Sequence, residues 1–288
     1  MKYNNDFLIS YDYIIDPIVL NDFNIHQIGR IICNENTYYE NHYHSNFYEL
    51  TIVTQGEGIV YTNNKPVHIK KGDIYFSCLH DIHAIKSSKN NPLQYDFCAF
   101  YPTHKQLATE LKNLSAKLHP EHTRLFNSTR ISSLLPFAIT EMQNLNNKYS
   151  YDILNNIFFQ IVVYLLRKFQ NNDTLSKETI PSKTILCYKI MDYINSNIDK
   201  LTSLTELVDV FHLSYNYLTT VFKKTTSMTL VNFYNMQRLL VAEKYILENV
   251  LTLEQIAQKL NFSTAYSLSK AFKKKYKLSP VYYRKKHL

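Results

Sequence analysis

Leu204-Thr-Glu-Leu-Val-Asp-Val-Phe-His-Leu-Ser214 recurs as Leu253-Glu-Gln-Ile-Ala-Gln-Lys-Leu-Asn-Phe-Ser263, at an offset of 49. One residue is then inserted, and Leu218-Thr-Thr-Val-Phe-Lys-Lys224 aligns with Leu268-Ser-Lys-Ala-Phe-Lys-Lys274 at an offset of 50. A self-match of this kind marks one supersecondary unit used twice. Each copy spells a short helix, a tight turn and a second helix. Ser203-Leu-Thr-Glu206 and Thr252-Leu-Glu-Gln255 have the capping-box spacing, which starts the first helix of each copy. Ser214 and Ser263 stand where the second helix begins, as capping serines. Val208 and Ala257 fall where the two helices of a copy cross. Between the copies, Leu230 to Glu248 has neither Pro nor Gly and reads as one rigid spacer helix.

The charge distribution points the same way. The 288-residue chain has a net charge of +8, yet residues 182–288 hold 16 Lys+Arg against 7 Asp+Glu, and residues 1–181 hold 16 against 17. The whole excess therefore lies with the repeat, as a polyanion-binding module requires. Each second helix ends in Phe-Lys-Lys, so Lys223, Lys224, Lys273 and Lys274 are expected on phosphates, with the middle of each helix against base edges in a major groove. Two such helices on one chain suit successive major grooves of duplex DNA. An RNA-binding reading lacks any stacking-platform motif.

Outward from the repeat, Gln170 to Pro181 is polar and reads as a linker. Before it, Leu154, Phe158, Ile161, Leu165 and Phe169 recur at three and four residues, an apolar helical stripe expected to cover a barrel, join a partner chain, or both. Residues from about 20 to 100 read as short strands, among them Tyr48–Thr54, Gly58–Thr62, Val67–Lys70 and Asp73–Ser77, punctuated by Gly56, Asn63-Asn64 and Gly72. Strands so short and closely spaced suggest a small barrel or sandwich. The four cysteines, Cys33, Cys78, Cys98 and Cys187, form no CxxC pair and suit a reducing compartment. Asp6, Asp12, Asp16 and Pro17 argue against a signal peptide, and Ile157–Leu166 is too short to cross a bilayer. A cytoplasmic protein with no membrane partner is expected. No nucleophile elbow, P-loop or dinucleotide glycine pattern is present.

On these residues the region from about 184 to 286 resembles the DNA-binding domain of AraC/XylS-type transcription regulators over its full length. Arg238-Leu-Leu-Val-Ala-Glu-Lys-Tyr-Ile-Leu247 resembles that family's spacer helix, and Phe272-Lys-Lys, Ser279-Pro280 and Tyr283-Arg284 its closing segment. The resemblance places base-facing positions on Asn216, Thr219 and Thr220 in the first unit and on Tyr266, Ser267 and Lys270 in the second. It departs where Ser227, Lys277 and Asn261 stand in place of the family's usual glycines.

Upstream, His42-Tyr-His44, Glu49 and Gly56, followed by Gly72 and His83, resemble the two cupin motifs, with Cys78 and His80 in place of the usual Pro and Gly. AraC-type regulators commonly carry such a barrel as an effector domain. The resemblance turns His42, His44, Glu49 and His83 inward as effector-binding residues; Tyr61 joins them because its strand follows the first motif. In metal-dependent cupins that quartet holds a divalent metal, and strand alternation puts His42 and His44 on one face; regulatory barrels use the same residues as a metal-free pocket, and no cofactor is expected here. The expected architecture is α+β with two domains: a cupin-like β-barrel plus helical pair for effector binding and dimerisation (1–170), a linker (171–181), and an all-α double helix-turn-helix (182–288). The expected function is an effector-responsive transcription regulator and not an enzyme, weighed against a cupin metalloenzyme fused to a DNA-binding module. Its expected partners are promoter DNA, a small molecule of which a sugar is the class suggested by family analogy, a second copy in a homodimer, and RNA polymerase.

Overall fold

The computed structural model describes residues 17–43, 47–63, 65–118, 121–170 and 182–287, in two compact units, Met1–Pro181 and Ser182–Leu288. The expected linker at 171–181 lies outside the described residues.

Among the described residues the first unit has ten strands: β1 (Ile18–Val19), β2 (Phe23–Ile32), β3 (Tyr38–Tyr43), β4 (Tyr48–Gln55), β5 (Glu57–Thr62), β6 (Lys65–Lys70), β7 (Ile74–Ser77), β8 (Ile82–Ser87), β9 (Gln94–Pro102) and, later, β10 (Leu125–Phe126). They form two antiparallel sheets, a large one in the order β1-β2-β9-β4-β7-β10 and a small one in the order β3-β8-β5-β6. Successive side chains of a strand point to opposite faces. In β4, Tyr48, Leu50 and Ile52 face a helical layer, while Val53 faces the small sheet, where Val60, Val67, Ile69 and Ile85 meet Tyr95 and Phe97. Both faces of the large sheet are covered, so every residue from Tyr48 to Val53 is buried and the strand loses the usual half-polar alternation. At the β4–β5 corner Gly56 is obligatory: its φ is +74° and a Cβ would lie 1.9 Å from the Pro92 carbonyl oxygen.

Among the described residues three helices cover the outer face of the large sheet, where a pair was expected: α1 (Lys105–Ser115), α2 (Thr129–Met142) and α3 (Ser150–Gln170), with a 3-10 turn at Glu121–Arg124. The apolar stripe of α3 is consumed here. Leu154, Phe158, Ile161 and Leu165 are fully buried, Phe158 sits between Phe23 (6.0 Å) and Phe100 (5.9 Å), and Phe169 packs on Phe126 (5.3 Å). The stripe covers its own sheet and leaves nothing for a partner chain, because one chain already removes it from water. The 3-10 turn is held from below by a buried ion pair between Arg124 and Asp81. Asp81 also accepts from the Cys78 N–H (2.7 Å) and Asn63 Nδ2 (3.0 Å), so the buried charges are paired and hydrogen-bonded as burial demands. Next to it His80 takes φ +70°, which explains why the cupin motif favours glycine there.

The second unit is all helical: α4 (Ser182–Ser196), α5 (Glu206–Phe211), α6 (Tyr215–Thr226), α7 (Leu230–Glu248), α8 (Leu253–Lys259), α9 (Ala265–Tyr276) and α10 (Pro280–His287). The spacer helix α7 has the expected bounds and is capped by Thr229. The two repeats match even in their irregularities. His212 and Asn261 close α5 and α8 in the left-handed conformation (φ 53° and 56°), and Ser227 and Lys277 close α6 and α9 (60° and 62°). The backbone N–H of Ser227 donates to the Lys223 carbonyl and that of Lys277 to the Lys273 carbonyl, both at 2.9 Å. These are positions where the family has glycine, and here L-residues occupy them at a cost.

That cost is measurable. The left-handed conformation costs an L-residue about 1–2 kcal/mol, against about 0.5–1 kcal/mol for the extra freedom glycine loses on folding. The Ser227 hydroxyl is moreover buried with no hydrogen-bond partner among the described residues. Ser227→Gly is expected to stabilise the protein by about 0.5–1 kcal/mol, read as a higher melting temperature of the transition that includes the C-terminal unit; an unchanged or lower melting temperature would show that the strain is relieved elsewhere.

Candidate DNA-binding surface and effector site

In the second helix of each unit one stripe is buried and the other is bare. Leu218, Val221 and Phe222 of α6 and Leu268 and Phe272 of α9 are buried in the unit. On the opposite side Asn216, Thr220, Lys223 and Lys224 of α6 are exposed, as are Tyr266, Lys270, Lys273 and Lys274 of α9. Thr219 is half-buried and its hydroxyl donates to the Asn216 carbonyl (3.1 Å). Ser267 is also half-buried: its N–H donates to Thr264 Oγ1 (3.0 Å), and its Oγ accepts from the Thr264 N–H (3.2 Å). Thr264 is therefore the cap of α9, not Ser263, because the single inserted residue shifts the helix start. Ser214 does cap α6, accepting from the Tyr217 N–H. The Thr252–Gln255 capping box forms in full. In the first helix-turn-helix only half of the box forms: Glu206 Oε1 accepts from the Ser203 N–H (2.9 Å) and the Thr202 N–H (3.0 Å), while Thr205, at the cap, makes no capping bond. The Thr202 hydroxyl, which donates to the same oxygen (2.5 Å), and then these backbone N–H groups hold the Glu206 carboxyl below its ordinary pKa. Tyr217, 43% exposed between two base-facing positions, and Tyr266, 77% exposed, are large side chains that the fold does not use.

Both helices are aimed by the spacer α7, which carries two buried charges. Arg238 donates through Nε to the Leu260 carbonyl (2.6 Å) and through Nη1 to Asn235 Oδ1 (3.0 Å), and its guanidinium lies 3.7 Å from the centre of the Phe262 ring. Burial lowers its pKa. One turn and a half further on, Glu243 accepts from the hydroxyls of Tyr276 (2.6 Å) and Tyr283. Arg284 then donates to the Ile246 carbonyl (2.8 Å). None of these anchors was singled out from the sequence for the role, although Arg238, Glu243, Tyr283 and Arg284 all lie in the motifs that carried the resemblance.

In the first unit the space between the sheets is apolar at one end and polar at the other. Gln27, Ala99, Glu49 and Ser77 are neighbours across the large sheet. Facing them, His83 is paired in register with Thr62 on one side and His42 on the other. Glu49 Oε1 lies 3.4 Å from His83 Nε2 and both side chains are buried; Thr51 Oγ1 is 3.4 Å from the same oxygen, and Tyr75 donates to Thr62 Oγ1 at 2.9 Å. Glu49 and His83 thus meet as the motif implied. The side chain of His42 and the whole of His44 lie outside the described residues. Tyr61 does not belong to this group. It is the neighbour of Thr62 along β5 and is paired with Ala84, so period-two alternation turns it to the other face of the small sheet. On that outer face an open cleft of about 660 Å³, lined by Ile59, His68, Lys70 and Lys86, excludes both Glu49 and His83. The four cysteines are free and buried, and burial pushes the Cys33 thiol up to about 12 and the Cys78 and Cys187 thiols to about 11, out of reach of a reactive thiolate.

Comparison with known proteins matches both units. Residues 207–286 match a helix-turn-helix domain, and residues 24–155 match an AraC-like ligand binding domain. The chain belongs to the AraC family of transcription regulators. Relatives include the transcriptional activator RhaS of Shigella sonnei, 24% identical over 83% of this chain and 85% of its own. The HTH-type regulator YfiF of Bacillus subtilis is 22% identical over 91% and 83%. Among solved structures, wild-type ToxT of Vibrio cholerae with bound unsaturated fatty acid shares the fold, with a TM-score of 0.54 at 14% identity over 92% of this chain and 95% of that one. As an AraC-family regulator the chain binds DNA through its C-terminal unit and a small molecule through its N-terminal one. No helix among the described residues is long and apolar enough to cross a membrane.

The spacer helix is held in this chain by Glu243 as well as by apolar packing. Glu243→Ala removes the acceptor that the Tyr276 and Tyr283 hydroxyls share, leaving Tyr276 its longer contact with the Leu239 carbonyl (3.4 Å), and is expected to cost about 2–4 kcal/mol, with Glu243→Gln, which still accepts, losing clearly less. Urea denaturation checks this; equal losses in the two variants would mean that the hydrogen bonds contribute little.

Proposed function

We propose that the chain regulates transcription by laying α6 and α9 into successive major grooves of promoter DNA, under the control of a small molecule held beside Glu49 and His83. The observation that carries the reading is the division of each second helix into a buried apolar stripe and an exposed polar one, repeated in both units and set in a surface of net charge +9. Asn216, Thr219, Thr220, Tyr266, Ser267 and Lys270 are the proposed base-facing residues, with Asn216 and Lys270 the strongest: an amide suits adenine and an ammonium suits guanine. Thr219 and Ser267 contribute through partly exposed edges, since their hydroxyls already serve the helix backbone. Lys223, Lys224, Lys273 and Lys274 take phosphates.

The inward polar set of Glu49, Thr51, Thr62, Ser77 and His83, with His42 and His44 adjoining in sequence, offers donors and acceptors suited to a hydroxyl-rich ligand such as a sugar, which is the effector class we propose. The fatty acid of ToxT marks the competing class. We propose no cofactor and no catalytic role; His42, His44, Glu49 and His83 are the residues that would hold a divalent metal, and an effector response that survives EDTA is what this reading requires. The assembly we propose is a cytoplasmic homodimer, because twofold pairing grips two half-sites. Its contact uses side chains that one chain leaves exposed, such as Phe137 and Phe159, in place of the buried α3 stripe. At the promoter it acts as an activator that meets RNA polymerase.

Lys270→Ala is expected to weaken binding to the selected promoter sequence by about 1–3 kcal/mol and to relax preference at one base pair. Lys273→Ala is expected to weaken all duplexes alike and to lower the slope of log affinity against log salt by about one unit. Parental behaviour in both at physiological salt would remove α9 from the interface. For the sensor, mono- and disaccharides screened by calorimetry should yield a ligand whose affinity changes by about 5–150-fold on adding promoter DNA and falls in His83→Ala. Identical affinities with and without DNA would sink the switch.

A further inference from the structure

The carbonyl oxygen of Leu201 collects two long-range hydrogen bonds. Tyr234, on the spacer α7, donates its hydroxyl at 2.7 Å, and Asn261, in the turn between α8 and α9, donates its side-chain amide at 3.0 Å. A carbonyl has two lone pairs, and here one goes to the spacer and the other to the second helix-turn-helix. Leu201 itself is buried and opens the first helix-turn-helix: the next residues, Thr202 and Ser203, are tied by their N–H groups to the carboxylate of Glu206 at the start of α5. One atom thus joins the base of the first helix-turn-helix, the spacer and the turn of the second helix-turn-helix.

We infer that Asn261 is a positioning residue for DNA recognition, which fixes the spacing of the two recognition helices by bolting the second helix-turn-helix to the Leu201 carbonyl. Two properties of Asn261 meet at this position. Its backbone must be left-handed, at φ 56°, so that the Phe262 N–H can reach back to the Ala257 carbonyl (2.8 Å) and end α8. Glycine would satisfy that requirement more easily. Glycine has no amide to offer Leu201, however, and asparagine is the residue that both tolerates the left-handed region and carries a donor of this reach. Because the acceptor is a carbonyl, the amide nitrogen is fixed as the atom facing it. The contact spans 60 residues of sequence and links the two copies directly. His212 occupies the matching left-handed position in the first copy, but it is exposed. The bolt is therefore a property of the second copy and not of the repeat.

This role requires both helix-turn-helix copies to meet one duplex, as proposed above. The probe is the duplex that the full-length chain selects from a random pool, together with derivatives carrying one or two inserted base pairs between the two protected segments. Each inserted pair displaces and rotates one half of the site, so a stiff reader loses most of its affinity and a loose one loses less. The full-length parent is expected to bind the inserted probes at least about tenfold more weakly than the selected one. Asn261→Gly is expected to keep a near-parental melting temperature and to bind the selected probe about three- to tenfold more weakly, the loss of one net hydrogen bond. Its penalty on the inserted probes should shrink severalfold. Asn261→Asp, which keeps the left-handed preference and lacks the donor, should behave as Asn261→Gly does. A parental insertion penalty in both variants would overturn the proposal, as would a parent that tolerates the insertions. Failure of the parent to select any duplex would instead overturn the DNA-binding reading on which the proposal stands, and the two failures are distinct because only the first leaves a selected sequence in hand.

Discussion

Two recognition helices read one duplex together only if the protein between them does not bend, and in this chain that stiffness rests on charges buried along α7. A guanidinium or carboxylate taken out of water is costly unless its hydrogen-bonding capacity is met, and removing one partner of such a group costs far more than the intact arrangement contributes. Arg238 meets its requirement with the Leu260 carbonyl, Asn235 and the face of Phe262; Glu243 meets its own with Tyr276 and Tyr283. Each anchor ties the spacer to a different part of the second unit, one to its turn and the other to its last helices. Rotation of α7 against that unit breaks both at once, which apolar packing of Leu239, Ala242 and Ile246 alone would tolerate more readily.

The sequence disclosed this unit well because its architecture is written locally and written twice. The capping box at Thr252, the cap at Ser214 and the uninterrupted run from Leu230 to Glu248 need only neighbours along the chain. The misplaced cap at Ser263 has a local cause too: the inserted residue moves the helix start to Thr264, and two adjacent hydroxyl residues give no basis for choosing between them. The contacts that join the copies were out of reach for a different reason. Tyr234 and Asn261 find Leu201 across 33 and 60 residues, and no periodicity in a single sequence encodes a partner at that distance. Asn261 was visible only as a tolerable substitute for glycine, when its side chain is what the position uses.

In the sensor unit the legible strands were those bounded by turn residues. β2 and β9 were legible only as part of a general run: β9 is buried on both faces from Tyr95 to Phe100, and β2 is interrupted by Asn24, Gln27 and Arg30 with a register shift between Ile25 and Gln27, so neither keeps a clean alternation. The cupin motif brought Glu49 and His83 together correctly, since both are fixed by register on facing sheets. Adding Tyr61 failed on the simplest rule of a strand: Thr62 faces His83, so its neighbour cannot. The α3 stripe was read correctly as needing cover, and sequence alone does not say whether that cover is the chain's own sheet. The aromatic contacts from Phe158 to Phe23 and Phe100 answer it.

The stiffness of the DNA-binding unit also constrains how an effector controls it. A ligand shifts an equilibrium only by the difference in its affinity for the two states, and couplings between sites are typically about 1–3 kcal/mol. Bending α7 against its unit would break hydrogen bonds to a buried charge, at about 3–5 kcal/mol for a single severed partner. A coupling of the usual size does not reach that. Moving the unit as a whole, or changing how two copies are held relative to each other, breaks none of the bonds around Arg238, Glu243 or Leu201 and fits within the available free energy. An effector held beside Glu49 and His83 therefore acts at lower cost on where the two recognition helices are presented than on the angle between them, and a fixed angle is what lets a change in presentation be read by DNA as the gain or loss of a whole site.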